Sequence, residues 1–319
     1  MNRAGARLCG IRNYVQLVYH SVNTMGENME RDYVIITDSS NDLPVGYAEE
    51  QGVVIIPISF EIGDEVFDGR EKTLTNKEFY DRMRAGEGTK TAAPNINDIE
   101  EEFEKALAAG KDVLFTCLSS GISSTINNAF ICREEMQEKY PDADICVFDS
   151  ICACGGHGML IYHAIENKKK GMSAKENMQA LEALKHHIVH KFTVDDLTYL
   201  QRGGRISKTA AMIGGMIQLK PVLHVDIEGR LAAESKVRGR KKALNQLVSE
   251  MENCVGSYAD KQDMVLICHA DCLEDAEYVQ AKVEEKFHPD KIIISEVGPI
   301  IGAHVGPGTM TLFFLGDKR

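Results

Sequence analysis

The chain has 319 residues, 44% of them apolar and 26% charged, which is ordinary for a globular protein and long enough for two cores. Its 36 Lys and Arg against 48 Asp and Glu leave a net charge of −12, which argues against a general binder of nucleic acid or of anionic membrane. The nine cysteines are odd in number, scattered and without a C-x₂-C pair, so they read as free thiols in a reducing cytoplasm and not as a disulfide or zinc frame.

Residues 1–30 carry Arg3, Arg7 and Arg12 but no long apolar stretch and no small-residue cleavage site. They read as an extension with little structure of its own, not as a secretory signal. No apolar run reaches about 18 residues, so no integral membrane segment is expected. Tyr33-Val34-Ile35-Ile36 is a buried strand that opens into the polar turn Thr37-Asp38-Ser39-Ser40-Asn41-Asp42. In α/β sheets ligands lie off the carboxyl ends of strands, which places Asp38, Ser39 and Ser40 for a site; capping the next helix is the alternative use. A second strand runs from Val53 to Phe60, with Pro57 marking an edge or a bulge. Hairpin-like turns follow at Gly63 and Gly69. Thr75 and Glu78 form a capping box for a helix whose inner face includes Phe79 and Met83.

Gly88 to Asn95 reads as a loop before a helix capped by Asn97, with Ile99, Phe103 and Leu107 on one face. Asp112 to Leu118 is an apolar run of strand length, and Ile126 to Met136 reads as a helix. Between them lies Leu118-Ser119-Ser120-Gly121-Ile122-Ser123-Ser124-Thr125. A strand-to-helix turn of this kind offers unpaired N–H groups, the positive end of a helix dipole and several hydroxyls. It suits an anion. A plain N-cap or a serine nucleophile would use the same residue types, although the G-x-S-x-G spacing of a nucleophile elbow is absent.

Ile145 to Ser150 is a further strand leading into Cys154-Gly155-Gly156-His157-Gly158, which lacks the G-x-G-x-x-G of a dinucleotide loop. Lys168 to Gly171 closes a helix and marks a domain boundary. Ser173 and Glu176 open a long helix expected to run to about Val189, with His186, His187 and His190 near its end. Arg202-Gly203-Gly204-Arg205-Ile206 follows, then Met212 to Ile217, small and flexible apolar residues that suit either a cavity wall or a core. Val222 to Val225 and Glu228 to Leu231 read as a hairpin, and Lys236, Arg238, Arg240, Lys241 and Lys242 form a basic run. Met264 to Asp271 is a strand ending in polar groups. A helix follows from about Cys272 to Phe287, then a strand at Ile292 to Ile294, a glycine-rich turn holding His304, and a last strand at Leu312 to Leu315.

Taken in order, several blocks resemble the DegV family of bacterial fatty-acid-binding proteins. They are Thr37-Asp38-Ser39-Ser40-x-Asp42-Leu43-Pro44, Thr91-x-x-Pro94, Leu118-Ser119-Ser120-Gly121-Ile122-Ser123-x-Thr125, Val147-Phe148-Asp149-Ser150, Gly203-Gly204-Arg205-Ile206, His269-Ala270-Asp271 and Gly302-Ala303-His304-x-Gly306-Pro307-Gly308. The resemblance implies an α/β, two-domain DegV-like fold with the ligand site at the interdomain cleft. The expected division is an N-terminal extension (1–30), an N-terminal α/β domain (31–170) and a C-terminal α/β domain (171–319). It implies a bound long-chain fatty acid and no other cofactor or metal. The carboxylate would meet Thr91, Ser123, Ser124 and His304, with Asp38, Ser39, Ser120 and His269 in support. It further implies a carrier in the cytoplasm that presents the acid to a fatty acid kinase. Separately, the basic residues Arg202, Arg205 and Lys208, with Lys236 to Lys242, are expected to form a docking face for an acidic partner kinase. Two departures bear on the head group. The family commonly has Thr-Ser-Gln-Pro where this chain has Thr91-Ala92-Ala93-Pro94, and Ser-Gly-Thr where it has Ser123-Ser124-Thr125. A serine acyl hydrolase using Ser123 and His304 is the rival from a different class, and no acid in the sequence is evident to orient the histidine. A nucleotide-binding regulator comes last, since no Walker-type loop is present.

Overall fold

The computed structural model describes residues 31–206 and 219–319. The first half of the chain supplies strands β1 (Tyr33–Asp38), β2 (Val54–Ile56), β3 (Phe60–Ile62), β4 (Glu65–Phe67), β5 (Thr89–Thr91), β6 (Asp112–Cys117) and β7 (Ile145–Asp149). The second supplies β8 (Ile188–Thr193), β9 (Leu219–Val225), β10 (Leu231–Arg238), β11 (Val265–His269), β12 (Ile292–Glu296) and β13 (Met310–Leu315). Four strands form a parallel sheet in the order β2-β1-β6-β7. Six form a mixed sheet in the order β10-β9-β8-β13-β11-β12, and β4-β3-β5 make a small antiparallel sheet.

Every residue of β6 is buried, as expected for a parallel strand covered on both faces. Its alternation decides where each side chain goes. Val113, Phe115 and Cys117 pack under the helices Ile96–Ala108 and Thr125–Lys139, whereas Leu114 turns the other way. β13 behaves likewise. Leu312 and Phe314 pack with Leu247 and Met251 of the Arg240–Cys254 helix, while Phe313 and Leu315 face inward. The inward faces of the two large sheets therefore share one apolar core, which includes Ile35, Leu114, Phe148, Phe192, Leu266 and Phe313. The Gly155–Lys169 helix contributes Met159, Leu160 and Ile161 to that core, so its glycines open a packed helix and not a phosphate loop.

The expected capping box at Thr75 and Glu78 is present on the Asn76–Arg84 helix, as is the one at Ser173 and Glu176. Other boundaries moved. The helix from Ala174 stops at Leu184, and a short 3₁₀ turn leads into β8, so His190 stands on a strand. The β-branched residues Ile188 and Val189 pair with β13, and that tertiary pairing overrides the helical pattern. Asn95, not Asn97, caps the next helix, with its side chain accepting from the Asn97 N–H at 3.1 Å. Thr89 to Thr91 is a strand because β3 offers it a partner, and Pro299–Val305 is a short helix, so His304 lies on a helix and not in a turn.

The small sheet and the Asn76–Arg84 helix come from the first half of the sequence but are tied to the second. The buried Tyr80 hydroxyl donates to Val297 O at 2.7 Å, and Thr89 Oγ1 donates to Ala303 O at 2.9 Å. Asn76 donates to Glu296 at 2.9 Å, and Arg84 pairs with Asp271. These contacts bring Thr91, at the end of β5, to the helix that carries His304.

Candidate functional site

A cavity opens where the serine-rich turn, the end of β5, the Pro299–Val305 helix and the inward face of β8, β9 and β13 meet. Its wall is largely apolar, with Ile58, Leu118, Phe192, Leu231, Ile301 and Phe313 among the lining side chains. Its polar end gathers Thr91, Ser123, Ser124, Arg205 and His304. All four expected carboxylate-binding residues thus line one cavity.

Local structure explains how each arrives there. Thr91 closes β5, and its Oγ1 lies 2.8 Å from His304 Nε2. The serine-rich turn is held from several sides. Asp38, wholly buried at the end of β1, accepts from the Leu118 N–H at 3.0 Å and from the Ser40 N–H at 2.9 Å. Ser119 Oγ donates to Gly229 O at 2.9 Å, across to the turn between β9 and β10. Arg205 Nε donates to Ile122 O at 3.2 Å. Within the turn Ser123 Oγ accepts from the Thr125 N–H at 3.3 Å and lies 2.9 Å from Thr125 Oγ1. Ser123 therefore steadies the residue that opens the helix as well as lining the cavity. The Ser124 N–H has no hydrogen-bond partner among the described residues, which leaves a donor at the positive end of the Thr125–Lys139 helix.

Burial pushes the His304 imidazole down to about 4, and the positive charge of Arg205 pushes in the same direction. The ring is therefore neutral near pH 7 and acts as a hydrogen-bonding group, not as a cation. Among the described residues its Nδ1 has no hydrogen-bond partner, and Gly203 packs against that edge so closely that any side chain there would overlap the ring. The Gly203 of the Gly-Gly-Arg motif is explained by this approach.

The supporting residues have different places. Ser39 Oγ accepts from the Ile58 N–H at 2.9 Å and so fixes a wall residue. Ser120 lines an outer groove that adjoins the cavity, together with Ser123, Ser124, Arg205 and Arg230. Its N–H donates to Asp149 Oδ1 at 3.1 Å. His269 does not reach the cavity; its Nδ1 accepts from the Cys272 N–H at 3.3 Å and shapes the turn after β11. Arg202 is exposed at the end of the Thr198–Arg202 helix. Arg205 is instead half-buried and lines both cavity and groove. Lys208, residues 1–30 and the Met212 to Ile217 stretch lie outside the described residues. In the basic run, Arg240 is engaged with Asp275 and Asp195.

The histidines near the end of the Ala174–Leu184 helix do not converge. The His190 ring packs edge-on against Phe313, and the His187 ring lies against Tyr258. Among the described residues no group of His, Cys, Asp and Glu is arranged to hold a metal ion, and no helix is long and apolar enough to cross a membrane. The eight described cysteines are free thiols.

Residues 32–317 match a family model described as "Uncharacterised protein, DegV family". The chain belongs to the DegV family. A DegV domain-containing protein of Clostridium perfringens is 39% identical over 290 residues, spanning 91% of this chain and 99% of the relative. Among solved structures, a fatty-acid-binding DegV family protein of Thermus thermophilus superposes with a TM-score of 0.79 at 26% identity, covering 90% of this chain and 99% of that one. A stearic-acid-binding protein of Eubacterium ventriosum gives a TM-score of 0.76 at 26% identity, covering 89% and 98%. The α/β architecture is thus that of the DegV structures. Thr91, Ser123, Ser124 and His304 were singled out in the sequence and line the cavity, whereas its apolar wall is drawn from strands and helices far apart in the chain. The inward half of the β8, β9 and β13 alternation was the signal available for it.

Proposed function

We propose that this DegV family member is a lipid-binding protein that holds one long-chain fatty acid, with the acyl chain in the cavity and the carboxylate at Thr91, Ser123, Ser124 and His304. The observation that carries this is the convergence of these four donors, from three separate parts of the chain, on the polar end of one mostly apolar cavity. Burying about a dozen methylenes at ~0.8 kcal/mol each contributes on the order of 10 kcal/mol. One hydrogen bond to a carboxylate contributes about 1.5–3 kcal/mol. The tail therefore sets affinity and the head group sets orientation.

In this reading residues 31–170 and 171–319 are two α/β domains with the acid between them, and residues from both halves line the cavity. The protein works in the cytoplasm as a carrier, and the groove beside Ser120, Ser124 and Arg205 is where a fatty acid kinase would reach the carboxylate. Exposed Arg202 and the basic run near β10 would contribute to docking.

The hydrolase reading finds less support. Ser123 Oγ is engaged with Thr125, His304 Nε2 with Thr91, and no carboxylate orients His304 among the described residues. Native mass spectrometry of the purified protein, followed by organic extraction, tests the proposal. A co-purified fatty acid, or uptake of one added acid per chain, is expected. No uptake of any of several long-chain acids, or turnover of an acyl ester, would refute it.

A further inference from the structure

We propose that Cys154 and Cys268 form a peroxide-reducing thiol pair: Cys154 attacks the O–O bond of a fatty acid hydroperoxide held in the cavity, and Cys268 completes a disulfide that joins the two halves of the chain. This rests on the fatty-acid reading above.

Cys154 is the one cysteine among the described residues that lines the cavity. It stands between β7 and the Gly155–Lys169 helix with φ 53°, a left-handed conformation that a non-glycine residue keeps only where its surroundings hold it. Its thiol lies beside two chemically active partners, the Cys268 thiol and the Asp42 carboxyl. Cys268, on β11, packs so closely against this turn that a Cβ on Gly155 would sit 2.7 Å from its Sγ. The same Sγ lies 3.7 Å from Asp42 O. Two thiols and a carboxyl from three separate parts of the chain thus meet at one point of a mostly apolar wall. Cys117 and Cys132, by contrast, pack away from the cavity under the helices of the first half.

This placement defines the oxidant. Both thiols are buried, and burial, with Cys268 and Asp42 alongside, holds the Cys154 thiol well above its ordinary range. A peroxide dissolved in water therefore meets neither a thiolate nor an open path. An acyl chain in the cavity lies against Cys154, so a hydroperoxide on that chain is delivered to the sulfur. As the S–O bond forms and the O–O bond breaks, Asp42 takes the thiol proton and passes it to the departing alkoxide oxygen. The hydroperoxide becomes a hydroxy acid, and Cys154 becomes a sulfenic acid. The Cys268 sulfur then attacks the Cys154 sulfur; the S–S bond forms, the S–O bond breaks, and the oxygen leaves as water with the Cys268 proton. The two thiols lose two electrons and the peroxide gains them.

Reduced, delipidated protein is incubated with linoleic acid hydroperoxide or with tert-butyl hydroperoxide. Hydroxy acid, chain mass and cross-linked peptides are read by mass spectrometry. Wild type should give one hydroxy acid per chain and a Cys154–Cys268 peptide pair that dithiothreitol reopens. The small peroxide should react roughly tenfold or more slowly. Cys268→Ser should still form the hydroxy acid but stop at a sulfenic acid on Cys154, which dimedone traps. Cys154→Ser should form neither product, and Asp42→Asn should slow the reaction by about a hundredfold. Hydroxy acid formation that survives Cys154→Ser, equal rates with both peroxides, or no hydroxy acid from wild type that binds the hydroperoxide would each overturn the proposal. Failure of wild type to bind linoleic acid at all would instead overturn the fatty-acid reading on which it rests.

Discussion

Asp42→Asn is expected to stabilise the protein more and more as pH rises from acid to mildly alkaline. Asp42 follows β1 in a left-handed backbone conformation with φ 48° and is only 8% exposed. Its Oδ1 accepts from the Gly298 N–H at 2.8 Å, and the Cys154 thiol lies beside the carboxyl. Burial pushes this carboxyl from 3.8 up to about 7, opposed by the Cys154 thiol and the Gly298 N–H and assisted by the charge of Asp38. The folded state thus holds the proton more tightly than the unfolded chain. The stabilisation by the neutral acid is complete below about pH 4 and is lost as pH rises through about 7. A shift of this size corresponds to about 4 kcal/mol across the whole window. Between about pH 5 and pH 8 about 3 kcal/mol of it disappears in wild type. Asn keeps the shape and the oxygen that meets Gly298 but does not ionise. Urea denaturation of both proteins at these two pH values measures the difference. The advantage of the variant should grow by about 3 kcal/mol from the lower to the higher pH. Parallel stabilities at both would refute the assignment of an ionisable, desolvated carboxyl at this position.

Ser123→Ala removes the hydroxyl that meets Thr125 at the helix start and, in the proposed function, a ligand donor. Fatty acid binding should weaken by roughly tenfold or more without being abolished, and stability should fall by about 1 kcal/mol, read by calorimetry and denaturation. Tyr80→Phe leaves Val297 O without its buried donor and should cost about 1–3 kcal/mol in urea denaturation; an unchanged midpoint would show that this tie between the small sheet and the second half is dispensable. Gly229→Ala places a methyl group against Ser119 Oγ at a φ of 74°, so it should both destabilise the protein and weaken ligand binding by shifting the serine-rich turn. His304 is held below its ordinary 6.5, so the unfolded chain takes up its proton first, and stability should fall as pH drops from 6.5 towards 4. His304→Asn should flatten that part of the pH–stability curve.

Local signals made much of the fold legible. Capping boxes at Thr75 and Ser173 marked helix starts because two reciprocal hydrogen bonds form within four residues of chain. Apolar runs marked β1, β6, β7, β11 and β13, since a strand covered on both faces has no polar positions to confuse it. The serine-rich turn stood out for the same reason: strand, hydroxyls and helix are consecutive. Boundaries failed where a distant partner decided them. Ile188 and Val189 ended a helical pattern until β13 claimed them, and Thr89 to Thr91 resembled a loop until β3 paired with it.

The sequence by itself determined the family and the alternation of strands and helices. Those properties rest on local periodicity and on motifs short enough to be read along the chain. Tertiary structure alone decided that Thr91 and His304 lie 2.8 Å apart across 213 positions of sequence, and that Arg205 turns into the cavity. It also decided which half of each strand becomes the apolar wall. Such contacts depend on how two sheets and a small third one pack together, and the free energy that sets that packing comes from burial of surfaces that no single stretch of chain contains.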